Sequence, residues 1–169
     1  LDIGTGSGCI PLAIKYHRPD VEVGGVDVSE RALAVAQHNA AQHQLAANWW
    51  QADASVLAAW PSWKPVDVLI SNPPYIAAAE MALMDNRVTR FEPHLALFVP
   101  DNDPLVFYRL LAQQAPHYLS ESGWLMVEIH EAQSEAVLAV WEKWDMVDIT
   151  VKKDYQGKPR MMAARCKKK

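Results

Sequence analysis

The chain has 169 residues, half of them apolar, and a formal net charge of −4. That size suits one domain with a substantial core, and the acidic balance argues against a surface that holds nucleic acid through its phosphates, so no stable nucleic-acid binding is expected. Two cysteines in unrelated segments, Cys9 and Cys166, argue against a disulfide framework or a metal site, and no apolar run reaches membrane-spanning length, so a cytoplasmic protein without metal or membrane attachment is expected.

Short apolar runs alternate with helical patterns, which predicts βαβ units and a parallel sheet. Leu1–Ile3 reads as the end of a first strand, truncated just before a glycine loop, so residues 1–169 are expected to be one domain of a longer protein. Cys9–His17 reads as a helix closed by Arg18-Pro19-Asp20, and Val21–Asp27 as the second strand. Ser29 can cap a helix whose apolar positions Leu33, Ala36 and Ala40 recur at helical spacing. Asn48–Ala52 reads as a third strand, Ser55–Trp60 as a short helix, Pro61–Pro65 as a turn and Val66–Ser71 as a fourth strand. From Asn72 to about Asp103 no strong period appears, and so long a connection is usually functional. Pro104–Leu119 is a predicted helix, Gly123–Ile129 a fifth strand and Ala132–Trp144 a further helix. Met146–Lys152 and Arg160–Arg165 flank a turn and predict an antiparallel hairpin at the sheet edge. The seven tryptophans scatter over several elements and read as core or rim packing.

Asn72-Pro73-Pro74-Tyr75 ends the fourth strand. A polar amide, two prolines and an aromatic make poor packing material but a good clamp for a planar amide or amino group. Proline has no N–H and a fixed φ, so the turn is stiff and carbonyl oxygens lack local donors. Asn72 offers a further acceptor, and Tyr75 can stack on a flat π-system or use its hydroxyl. Two acceptors on one –NH2 group would hold both hydrogens and aim the nitrogen. The plainer alternative is a turn that merely ends the strand.

Asp2-Ile3-Gly4-Thr5-Gly6-Ser7-Gly8 joins the first strand to the first helix. A dinucleotide fingerprint would read G-x-G-x-x-G. The tighter G-x-G-x-G spacing behind an acid is the form associated with S-adenosylmethionine, and Gly4, Thr5, Gly6 and Gly8 are expected to lie against it. Asp27, followed by Val28, ends the second strand, where a carboxylate can accept from both ribose hydroxyls. Asp53 ends the third, where it can accept from an adenine amino group, with the Ala54 N–H facing a ring nitrogen. Asp2, Asp27 and Asp53 are each ordinary as turn or cap residues; together they fall where open α/β sheets bind ligands.

With these motifs in view, the chain resembles the HemK/PrmC release-factor glutamine methyltransferases. The resemblance rests on Asp2 through Gly8, on Asn72-Pro73-Pro74-Tyr75-Ile76, on Arg90-Phe91-Glu92-Pro93-His94-Leu95-Ala96-Leu97, and on Asp154 through Arg160, of the form D-x-x-G-x-x-R. It implies the Rossmann-like fold of class I S-adenosylmethionine-dependent methyltransferases: an α/β domain with a mostly parallel seven-stranded sheet and a C-terminal antiparallel hairpin. It implies methyl transfer to the amide nitrogen of the glutamine in the Gly-Gly-Gln loop of a peptide-chain release factor, the expected partner. Asn72, Pro73, Pro74 and Tyr75 would then be catalytic, with Asn72 also near the cofactor, and Glu92 and Pro93 would shape the pocket. The resemblance implies an N-terminal helical domain, which is expected to lie outside residues 1–169, and His130 stands where the family pattern leads one to expect glycine. An adenine-N6 methyltransferase acting on DNA or RNA is the alternative, since the same clamp suits an exocyclic amino group. The charges between Ile76 and Pro100, namely Glu80, Asp85, Arg87, Arg90 and Glu92, nearly cancel and disfavour it. A cofactor-binding module without catalysis, or a nicotinamide dehydrogenase, is a more distant reading.

Overall fold

Buried aliphatic side chains at the centres of neighbouring strands hold the sheet together: Ile3, Val26, Leu69, Leu125 and Val127 are each at most 2% exposed. The computed structural model describes residues 1–56, 65–83 and 93–167. Its strands are β1 Asp2–Ile3, β2 Gly24–Asp27, β3 Asn48–Gln51, β4 Val66–Ser71, β5 Ile76–Ala77, β6 Phe98–Val99, β7 Leu119–Glu128, β8 Met146–Lys153 and β9 Pro159–Cys166. The α-helices among the described residues are α1 Cys9–His17, α2 Glu30–Gln42, α3 His94–Leu97, α4 Val106–Tyr118 and α5 Ser134–Lys143. Nearly all of the expected Ser55–Trp60 helix and Pro61–Pro65 turn, and Glu92, lie outside the described residues.

Seven strands form one sheet in the order β3-β2-β1-β4-β7-β9-β8. The first five of these pair in parallel, β9 runs antiparallel to β7, and β8 antiparallel to β9. The expected architecture is therefore the observed one, with the hairpin turned so that β9 lies inside and β8 takes the edge. The chain order reverses between β1 and β4, which makes that crevice the topological switch point where open α/β sheets bind ligands.

Helix starts follow local chemistry. The Ser29 hydroxyl accepts from the Ala32 N–H at 3.2 Å, and Leu33, Ala36 and Ala40 form the buried stripe of α2. α1 begins directly after Gly8, whose φ of 78° is left-handed. Pro11 falls in its first turn, where the missing N–H would have had no helical partner. Tyr108, Leu111, Ala112 and Ala115 of α4 and Trp141 of α5 complete the core, and the Trp141 indole donates to the Tyr108 carbonyl at 3.2 Å. Trp49, Trp50 and Trp124 are half-buried and Trp144 lies at the rim; Trp60 and Trp63 fall outside the described residues.

Element ends differ from the sequence reading. β2 starts at Gly24 rather than Val21, where its pairing with β3 begins. β7 is ten residues long, because Leu119 already pairs with Val66 ahead of a bulge. The stretch after Asn72 is not a bare connection: two-residue β5 and β6 pair in parallel, Ile76 with Phe98, flanked by a 3-10 helix at Ala78–Leu83 and by α3. No helix among the described residues is long and apolar enough to cross a membrane.

Candidate active site at the carboxyl ends of the central strands

Register places the motif residues in one row. Ile3 lies beside Val26 on one side and Ser71 on the other, and Ser71 lies beside Val127. The next residues along, Gly4, Asp27, Asn72 and Glu128, therefore leave four adjacent strands at the same level. The buried Ser71 hydroxyl donates to the Ile3 carbonyl at 2.6 Å and locks β4 to β1 just before the clamp.

The glycine loop is held from within. The N–H groups of Gly4 and Thr5 both donate to the Val26 carbonyl, at 2.8 and 2.9 Å, and that of Gly8 to the Thr5 carbonyl at 2.9 Å. The Gly6 N–H donates to Asp27 Oδ2 at 2.8 Å. A phosphate nest needs such donors pointing outward; here they are used by the protein, which disfavours a dinucleotide. Gly4 and Gly6 have φ of 72° and 56°, and a Cβ on either would meet nothing within 4 Å, so the open side of the loop can lie close against a ligand. Thr5 packs on β2 where only glycine fits: a Cβ on Gly25 would come within 2.5 Å of Thr5 Oγ1.

Three carboxylates stand at or just past the ends of β1, β2 and β3, and those of Asp2 and Asp27 bond to this loop. Asp2 is buried; its Oδ2 accepts from the Thr5 hydroxyl at 2.7 Å, and among the described residues its Oδ1 has no hydrogen-bond partner. Burial raises its pKa to about 7, against the opposing pull of the Thr5 hydroxyl. Asp27 accepts from Gly6 and, through Oδ1, from the Ser29 N–H at 2.9 Å. A carboxylate has about four acceptor positions, so two remain for a ligand's hydroxyls. Asp53 Oδ1 accepts from the Ser55 N–H at 2.8 Å and its hydroxyl at 2.6 Å, a turn that leaves Oδ2 available among the described residues. Val28 lies exposed on the rim, and its carbonyl accepts from the Gln51 amide.

The clamp stands across the switch point from Gly4. Asn72 is exposed, and among the described residues its side chain makes no hydrogen bond. Pro73 is buried, and no described backbone N–H donates to its carbonyl. Pro73 and Pro74 line a small apolar cleft with Gly4, Ala54, Ser71 and Leu111, so three sequence-distant motifs share one wall. An open hollow of about 520 Å³ lies elsewhere, at the amino ends of β2 and β3, and holds none of these residues. Tyr75 does not leave its hydroxyl to solvent: it donates to Glu128 Oε1 at 2.7 Å, and its ring meets that of His130 edge-on at 5.9 Å. Burial first, and Glu128 next, push the phenol up to about 12, so it stays a donor. Pro93 is exposed and opens α3, which leads into β6 and so back beside β5. Glu128 was not singled out from sequence; its position at a strand end beside a proline-rich loop shows only once β4 and β7 are paired.

These residues fit an adenosyl cofactor bearing a positive amino acid group. The Asp2 oxygen that has no partner among the described residues calls for a donor or cation, the glycines leave open space, and Asp27 and Asp53 supply acceptors spaced along the rim. No group of three or more His, Cys, Asp or Glu among the described residues could hold a metal ion.

Comparison with known proteins agrees with this geometry. A release factor glutamine methyltransferase of Cereibacter sphaeroides is 41% identical over 98% of this chain and 58% of its own length. One of Flavobacterium psychrophilum is 38% identical over 96% of this chain and 56% of its own. The chain thus spans a little over half the length of these curated relatives. Among solved structures, the hMettl16 catalytic domain in complex with a MAT2A 3'UTR hairpin superposes with a TM-score of 0.72 at 16% identity, over 97% of this chain and 62% of that one. The ribosomal protein L11 methylase of Lactobacillus delbrueckii subsp. bulgaricus gives 0.65 at 19%, over 98% and 69%. At those identities the likeness is one of fold, that of methyltransferases. Residues 1–95, which carry the glycine loop, the three acids and the clamp, match the family described as Methyltransferase small domain, and the chain belongs to that family.

Proposed function

We propose that this chain transfers a methyl group from S-adenosylmethionine to the side-chain amide nitrogen of a glutamine, in the Gly-Gly-Gln loop of a peptide-chain release factor. The observation that carries this reading is the placement of two acceptors that are unpaired among the described residues, the Asn72 side chain and the Pro73 carbonyl, directly across the switch point from the glycine loop. The names of the relatives supply the acceptor class.

When bound, the cofactor supplies an electrophilic methyl on a positively charged sulfur. Asp27 and Asp53 would hold its ribose hydroxyls and adenine amino group, and Asp2 would face its positive end. The chain's own task is then to present a poor nucleophile. An amide nitrogen has a delocalised lone pair, and its two hydrogens become more acidic as the new bond forms. Acceptors on both hydrogens strengthen as charge develops, which is stabilisation specific to the transition state. Pro73 and Pro74 keep those acceptors from relaxing, and the apolar cleft they line keeps water away from the nitrogen. The methyl–sulfur bond breaks as the nitrogen–methyl bond forms, and S-adenosylhomocysteine leaves as a neutral thioether. The alkylated amide, now strongly acidic, gives one of its two protons to solvent, so no nucleophilic side chain or strong base is required.

Incubating the purified protein with labelled cofactor and a release factor tests this directly. Label should enter the factor and vanish when its loop glutamine is replaced. Transfer that persists on the replaced factor, or that goes only to adenine in an oligonucleotide, contradicts the assignment.

A further inference from the structure

We propose that Glu128 is a positioning residue for the clamp, itself set in place by Tyr108 and by the backbone of the C-terminal hairpin. The proposal rests on the methyl-transfer reading above and adds a residue that neither the motifs nor the relatives assign.

Tyr75 leaves the clamp and reaches across to the adjacent strand end, where its hydroxyl donates to Glu128 Oε1 at 2.7 Å. A bond from a neutral hydroxyl to a carboxylate is among the stronger kinds. Glu128 is itself fixed. Its carbonyl accepts from the hydroxyl of fully buried Tyr108 at 3.2 Å, and its backbone pairs with Met161 of β9. The next N–H, of Ile129, donates to the Arg160 carbonyl at 2.8 Å.

Arg160 is held from the hairpin turn. Its Nε lies 3.3 Å from Asp154 Oδ2, and its NH2 lies 3.8 Å from Glu131 Oε2. Asp154 Oδ1 accepts the N–H groups of Gln156 and Lys158, at 2.9 and 3.0 Å, and so builds the turn that Gly157 closes at a φ of 82°. The D-x-x-G-x-x-R segment thus has a physical purpose: its aspartate shapes a turn, its glycine permits the turn, and its arginine ties the turn to Glu131 and, through its carbonyl, to Ile129 beside Glu128. His130 braces the other side of the Tyr75 ring, and its Nδ1 accepts from the Ala132 N–H at 3.2 Å.

The bond serves placement more than stability. Tyr75 is only partly buried, so phenylalanine would pack nearly as well, and a lost rim hydrogen bond is a small perturbation of the fold. A small misplacement of the acceptors is a large perturbation of the rate.

The test compares Tyr75→Phe, Glu128→Ala, Glu128→Gln and the double variant Tyr75→Phe/Glu128→Ala. Tyr75→Phe and Glu128→Ala should each lower kcat by about 10- to 100-fold. Cofactor Kd and acceptor KM should stay within about threefold, and thermal midpoints nearly unchanged. Glu128→Gln keeps an acceptor and should recover much of the rate, and the double variant should be no slower than the slower single. Wild-type kcat in Tyr75→Phe, or losses that multiply in the double variant, would overturn the proposal. A wild-type protein that methylates adenine and not glutamine would reject the function assigned above, yet the same variants on that acceptor still decide the positioning. If neither acceptor is turned over, NMR of protein labelled at the tyrosine Cζ decides it: the Tyr75 signal should shift in Glu128→Gln, and an unchanged signal contradicts the proposal.

Discussion

Single side chains divide the work at this site. Among the described residues the Asn72 side chain makes no hydrogen bond, whereas that of Asp27 accepts two, so removing them should have opposite effects. Asn72→Ala should lower kcat by about 100-fold or more, as losing one oriented transition-state partner does, with cofactor Kd within about threefold; equal losses in both would contradict the clamp. Asp27→Ala should weaken cofactor binding by about tenfold or more, and should destabilise the fold by about 1–3 kcal/mol because two backbone N–H groups lose their acceptor. Calorimetry and thermal melts read both, and unchanged affinity would reject the ribose assignment. The acids and the clamp were legible in the sequence because each sits at a strand end beside turn chemistry. Glu128 was not, because its partner Tyr75 lies 53 positions away and no local pattern joins them.

Among the elements, those with a period were legible. α2 shows its buried stripe and cap in the sequence, and β4 its apolar run. β5 and β6 are two residues each, too short for any period, and exist only because they pair with one another. β7 began four residues early because a bulge lets polar Ser120, Glu121 and Ser122 stay in a strand. The packing of the glycine loop on β2 is likewise tertiary: nothing near Gly25 in sequence shows that Thr5 needs its space. Gly25→Ala should force Thr5 and the loop away, with a loss of about 1–3 kcal/mol in urea denaturation and weaker cofactor binding; wild-type values for both would show that the loop yields freely.

For the molecule as a whole, one buried carboxyl ties stability to pH and to the ligand. Asp2 is raised from its ordinary 3.8 to about 7 by burial. The folded state therefore holds that proton more tightly than the unfolded chain does. Its contribution is fully present below about pH 4 and is lost as pH rises to about 7, by on the order of 4 kcal/mol at most. Denaturation of the free protein across that range should show this slope, and Asp2→Asn should flatten it; an identical slope in the variant would place the titration elsewhere. A positive cofactor group facing Asp2 would lower its pKa again, so binding near pH 7 should release a proton, seen as a buffer-dependent heat.

The central claim is geometric, and a crystal structure with S-adenosylhomocysteine and a glutamine peptide tests it most directly. The account predicts the glutamine amide nitrogen within about 3 Å of both the Asn72 side-chain oxygen and the Pro73 carbonyl, with the cofactor sulfur in line behind it. A peptide amide bound elsewhere, or those two oxygens turned from the sulfur, would contradict it.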